Sequence, residues 1–130
     1  MDWIFFNKDK HFEEIKNWWN FWSGPQVFSP EILSTHGVIM VKNNVNLCAG
    51  WVYSSDSTLG YIGFIVMNPK ASKLDRVGCI EEMLDVLHKL AKELGIKFLF
   101  GSIENKNLVT RMRKKGYFIA GESTNLIFKL

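Results

Sequence analysis

The chain has 130 residues, of which 47% are hydrophobic, 14% aromatic and 22% charged, and its net charge is +3. That length suits one domain over residues 1–130 with one buried core, and the composition excludes disordered and fibrous chains. A charge this small permits an anionic ligand without calling for nucleic acid, which needs several basic residues gathered on one face.

Cys48 and Cys79 lie far apart, outside any CxxC pattern, and read as free thiols of a reducing compartment. His11, His36 and His88 are isolated from one another and from the cysteines, so no metal site is expected. The start, "MDWIFFNKDK", holds an apolar run too short for a signal-peptide core or a membrane span. A cytoplasmic protein with no membrane attachment is the expectation.

In chain order, "WIFF" predicts a short first strand. Asp9 then caps a helix in which Phe12, Ile15, Trp18, Trp19 and Trp22 recur at helical spacing, and "SGP" at residues 23–25 ends it. Tryptophans so spaced face a core. "WWNFW" nevertheless holds more indole than one stripe needs, which makes Trp18, Trp19 and Trp22 candidates for a pocket wall as well.

Three β-rich runs follow, "HGVIMVKN", "LCAGWVYSS" and "LGYIGFIVMNP", separated by "NVN" and "DST". They predict an antiparallel meander. After Pro69, "KASKLD" reads as a polar loop. Val77, Ile80, Met83, Leu84, Leu87, Leu90, Ala91 and Leu94 then form a helical stripe that stops at Gly95. The remainder predicts a strand "KFLFGSI", a helix over residues 106–115 stopping at Gly116, and two final strands, "YFIAGE" and "NLIFKL". Lys106, Arg111, Arg113, Lys114 and Lys115 make the last helix basic. Strands on both sides of a long middle helix imply an α+β sheet with a strand–helix–strand crossover.

A loop leading from a strand into a helix presents free backbone N–H groups to an anion. Here it is "KASKLDRVGCIEE", in which Gly78 lets a ligand approach the backbone and Lys73 and Arg76 supply charge. An ordinary turn into a core helix is the alternative reading of the same residues.

From Leu47 onward, about two thirds of the chain, the sequence resembles the GNAT superfamily of acyl-CoA-dependent N-acyltransferases. "LCAGWVY" is similar to the family's strand with a central glycine. "AKELGIKFLFGSIENKNLVTRMRKKGYF" is similar to its tail, with Asn105 as the tail's asparagine and Gly116 and Tyr117 at its terminal GF. Among GNAT-like proteins it most resembles small phage-encoded ones with a tryptophan-rich first helix, "NP" after the fourth strand and a closing "NxxLVxRxxKxGF". The resemblance implies a mostly antiparallel mixed sheet of about six or seven strands flanked by helices, with a V-shaped splay between the fourth and fifth strands. It also implies acetyl-CoA or another acyl-CoA as cosubstrate. The pantetheine arm would lie along Ile65, Val66 and Met67 as a surrogate strand. The pyrophosphate would sit on Asp75, Arg76, Val77, Gly78, Cys79 and Ile80, flanked by Asn105 and Arg111 of the basic helix.

The chain departs from the family at several of these positions. Aligned on Gly78, the pyrophosphate motif Q/R-x-x-G-x-G/A begins here with Asp75, whose charge repels phosphate, and ends with the bulky Ile80. Met112, seven residues after Asn105, takes the place of the tyrosine that protonates the leaving thiolate, and Gly63 stands where related proteins carry a basic glutamate. Candidate substitutes are Glu104, at the end of the fifth strand, and Tyr61, at period two from Gly63; Tyr53 is a third. For each a structural role is the stronger reading: packing for the tyrosines, and capping at the start of the basic helix for Glu104. Cys79, near a helix start, suits packing better than nucleophilic catalysis because no histidine partner is identifiable.

Three functions follow. The first is N-acyl transfer from CoA to an amine by direct attack. The second is a GNAT-like binding module that has lost chemistry and acts on a protein partner. The third and weakest is nucleic-acid binding by the basic helix. The acceptor, a small molecule or a protein, is not specified, nor is the choice between monomer and homodimer. By family analogy the aromatic helix and "GPQVFSPEILSTHG" form the acceptor side.

Overall fold

A computed structural model of the chain describes residues 1–23 and 29–130. The expected helix stop at Gly24 and Pro25, and part of the acceptor-side segment, lie outside the described residues. The sheet consists of β1 (Asp2–Phe5), β2 (His36–Lys42), β3 (Val45–Tyr53), β4 (Leu59–Met67) and β5 (Phe98–Phe100), in that spatial order. β1 to β4 pair antiparallel and β5 runs parallel to β4. The β2–β3 connection turns on Asn43 and Asn44, both at positive φ (52° and 62°), as a two-residue hairpin turn requires. Val45 and Asn46, read from the sequence as part of that turn, belong to the strand.

Among the described residues the α-helices are α1 (Lys8–Ser23), the single turn α2 (Lys73–Arg76), α3 (Cys79–Glu93) and α4 (Lys106–Lys114). Side chains alternate across the sheet and build a core on each face. Val38, Met40, Cys48 and Ile62 meet the apolar stripe of α3 on one side, while Ile39, Ala49, Trp51 and Val66 meet Ile15, Trp18 and Trp19 of α1 on the other. The result is a mixed α+β sheet flanked by helices, with α2 and α3 forming the crossover from β4 to β5.

Local chemistry moved some boundaries. α1 begins two residues earlier than expected, because Asn7 rather than Asp9 caps it by accepting the Lys10 N–H at 3.0 Å. Val77 lies outside the α3 stripe and is 71% exposed, because the chain must pass through Gly78 (φ 78°) before the helix can begin.

Five strands pair among the described residues, fewer than expected. Residues 117–130 form no ladder, and Phe118, Leu126 and Phe128 are each more than 80% exposed (84%, 90% and 83%). Apolar alternation specifies an extended preference, whereas a strand also needs an edge to pair with. β5, with three residues, offers little edge.

Candidate functional site

The ladder between β4 and β5 ends at Tyr61 and Phe100, while β4 runs on to Met67. The cause is visible in β4 itself. Between the pairs Ala49–Val66 and Trp51–Gly63, two residues of β4, Phe64 and Ile65, face the single residue Gly50 of β3, and Phe64 has φ 57°. Such a bulge bends and twists the strand that carries it, turning β4 away from β5. Beyond Tyr61, β4 therefore has β3 on one side and an open edge on the other, along Ile65, Val66 and Met67.

That edge leads through α2 to the start of α3. Ser72 caps α2 by accepting the Asp75 N–H at 3.1 Å, and Gly78 follows with open space in front of it. The first helical bond of α3 runs from the Glu82 N–H to the Gly78 carbonyl at 3.0 Å. The N–H groups of Cys79, Ile80 and Glu81 are left without a helical acceptor, at the positive end of a long helix.

The two departures in this loop are both moderated. The Asp75 carboxylate lies 3.6 Å from the Lys42 ammonium, which offsets its charge. The Ile80 side chain is 2% exposed and faces the α3-side core, so its bulk points away from the loop surface. Arg76 carries a buried Nε with no hydrogen-bond partner among the described residues, and Arg111 of α4 reaches Glu81 at 3.7 Å. Cys79 lies close enough to both arginines for them to lower its thiol pKa. The Cys48 hydrogen bond is the larger cause of that lowering, and burial opposes it. Cys48 is pushed up by the same contact and by burial. Open N–H groups, an unpaired arginine nitrogen and a second arginine nearby suit a diphosphate.

Tyr61 stands at the apex of the splay, its ring against Tyr53 (5.8 Å) and Phe100 (6.2 Å). Tyr53 donates its hydroxyl to the Ile32 carbonyl at 2.8 Å, and burial pushes its pKa up to about 12. It is thus committed to packing. A hollow of about 250 Å³ lies here, lined by Tyr53, Ser54, Ser55, Leu59, Gly60, Tyr61 and Phe100. Glu104 is exposed and lines a different, larger cavity between β5, α4 and residues 117–125. The structure therefore does not gather Tyr61 and Glu104 around one hollow. The α4 cap is Asn105, which accepts the Leu108 N–H at 3.0 Å. Met112 is 4% exposed, within the α3-side core.

One participant had no signal in the sequence, and another was read there only as a candidate pocket wall. Lys42 meets Asp75 only through the sheet, and Trp22 donates its indole N–H to the Met67 carbonyl at 2.7 Å. Among the described residues no group of three or more histidine, cysteine, aspartate or glutamate side chains could hold a metal ion, and no helix is long and apolar enough to cross a membrane.

No family model and no curated protein matches the sequence. Solved structures do resemble it. A probable acetyltransferase of unknown function from meticillin-resistant Staphylococcus aureus superposes with a TM-score of 0.70 at 12% identity, over 99% of this chain and 98% of that one. An aminoglycoside acetyltransferase from an uncultured soil metagenomic sample, in complex with sisomicin, gives 0.69 at 10% identity over 99% and 95%. A predicted acetyltransferase from Clostridium acetobutylicum, solved with acetyl-CoA, gives 0.53 at 21% identity over 70% of this chain, which spans 62% of that protein's length. Likeness at such identities defines a fold. The chain has the GNAT acetyltransferase fold.

Proposed function

We propose that the protein is an acyl-CoA-dependent N-acyltransferase, using acetyl-CoA, that transfers the acyl group to an amine by direct attack. The observation that carries this reading is the open edge of β4, freed by the bulge at Phe64 and ending at the uncapped start of α3. Similar folds solved with acetyl-CoA, with CoA or with a CoA-containing bisubstrate analogue support it.

Backbone groups of Ile65 and Met67 on the open edge pair with the amides of the pantetheine arm, while Val66 between them holds β4 to β3. The N–H groups of Cys79 and Ile80 hold the diphosphate, with Arg76 and Arg111 beside it and Asn105 fixing the start of α4. The acyl thioester supplies an activated carbonyl. Tyr61, at the apex, orients the attacking amine and handles its proton, a role worth about 10²–10⁴ in rate for a placed side chain; Glu104, which lines the other cavity, stands apart from this hollow. Met112 cannot protonate the departing thiolate, but a thiol of pKa about 8.5 leaves without that help. The aromatic hollow beside Tyr61 suits an ammonium on a slender chain, attracted to the ring faces. Free buried thiols at Cys48 and Cys79 favour a reducing compartment such as the cytoplasm.

The test is release of free thiol from acetyl-CoA across a panel of primary amines, including polyamines, aminoglycosides and peptide N-termini. The reading requires amine-dependent thiol release and an acylated product. Binding of CoA without turnover on any amine would contradict it and favour the binding module.

A further inference from the structure

Asn68 donates its N–H to Leu47 of β3 at 2.8 Å. Backbone groups of successive strand residues point to opposite sides, so the Met67 carbonyl faces away from β3, into the gap that β5 does not reach. Its partner there is the Trp22 indole N–H, at 2.7 Å, from the last turn of α1. Trp19, one turn earlier, makes the corresponding bond to the Phe64 carbonyl at 3.1 Å, but it is 3% exposed and locked among core aromatics. Trp22 is 50% exposed, and among the described residues its one close ring neighbour is Phe21, itself 65% exposed. The indole therefore occupies an edge acceptor while half of its surface stays open to solvent.

We propose that Trp22 is a latch on the cosubstrate's strand site: it holds the Met67 carbonyl in the free protein and yields that acceptor to an amide N–H of the pantetheine arm. The inference rests on the acyl-CoA reading. A surrogate strand lying along β4 needs acceptors on this edge, and the Met67 carbonyl belongs to the last residue before the chain turns toward the diphosphate loop.

The experiment is titration of the wild-type protein and Trp22→Phe with CoA, followed by calorimetry and by tryptophan emission. Phenylalanine keeps an aromatic ring but cannot donate, and Trp3, Trp18, Trp19 and Trp51 remain as emitters. A competing hydrogen bond of ordinary net strength changes affinity by roughly 2- to 10-fold. Trp22→Phe is expected to bind CoA tighter by about that factor, with the saturable emission change of the wild type abolished or much reduced. Binding by Trp22→Phe alone would also support the latch. Equal or weaker binding by the variant, with the emission change intact, would overturn the latch and leave the acyl-CoA reading standing. If neither protein binds CoA, both fall.

Discussion

The phenol of Tyr61 lies across the backbone of Gly63: a Cβ at residue 63 would come 2.4 Å from Tyr61 Cε1 and 3.0 Å from its hydroxyl oxygen. The position where the family resemblance implies a glutamate is thus covered by the ring of a neighbour on the same strand, at the apex of the splay. Tyr61→Phe is expected to lower kcat for amine acylation about tenfold or more while leaving the CoA dissociation constant unchanged, since proton handling by a placed side chain contributes about 10²–10⁴. Thiol-release kinetics and calorimetry together check this. An unchanged kcat would remove Tyr61 from the reaction.

The same contact predicts a packing effect. Gly63→Ala must push the Tyr61 ring aside, at a cost of about 1–3 kcal/mol. In Gly63→Ala/Tyr61→Ala the clash disappears, so the double variant should be less destabilised than the sum of the single ones. Urea unfolding of the four proteins measures the coupling, and simple additivity would argue against the contact.

Lys42 and Asp75 offer a test of the diphosphate loop. If Asp75 repels the ligand and Lys42 offsets it, Asp75→Asn should tighten CoA binding and Lys42→Met should weaken it. Each change should be about 2- to 5-fold, in keeping with a solvent-exposed pair worth about 0.2–1 kcal/mol. Both effects should shrink as salt is raised. Calorimetry at two ionic strengths reads the result, and opposite signs would place the diphosphate elsewhere.

His88 of α3 accepts or donates at 2.7 Å to the Tyr117 hydroxyl just after α4. Burial holds the His88 pKa below its usual 6.5 despite the opposing pull of Asp85, with Lys115 and Lys92 lowering it further. A depressed folded pKa means that the unfolded chain takes up the proton more readily. Stability from this group is therefore fully present above about pH 6.5 and is lost as pH falls through that value toward the folded one. Thermal melts from pH 8 to pH 5 should show a falling midpoint whose slope is reduced in His88→Gln. An identical slope in the variant would assign the effect to other groups.

Much of this architecture was legible in the sequence because it rests on local periodicity. The α3 stripe and the three-strand meander are written as spacings of 3.6 and 2, and packing respects them. The splay was legible only through family resemblance, since nothing local marks Phe64 as a bulge. The sign of the loop departures was not legible at all. Asp75 looks repulsive until the sheet brings Lys42 to it, and Ile80 looks obstructive until the helix phase turns it inward. Residues 117–130 carry strand-like patterning, but pairing depends on a partner edge that sequence does not describe. Trp22 was read as a possible pocket wall, whereas its bond to Met67 depends on how α1 crosses β4.

Calorimetric titration of the purified protein with acetyl-CoA and with CoA tests the central claim most directly. The open β4 edge and the start of α3 predict saturable binding of both, with a sub-millimolar dissociation constant, weakened when Arg76 and Arg111 are replaced together by alanine. Absence of binding by both ligands, in the wild-type protein and in Trp22→Phe alike, would contradict the acyl-CoA site.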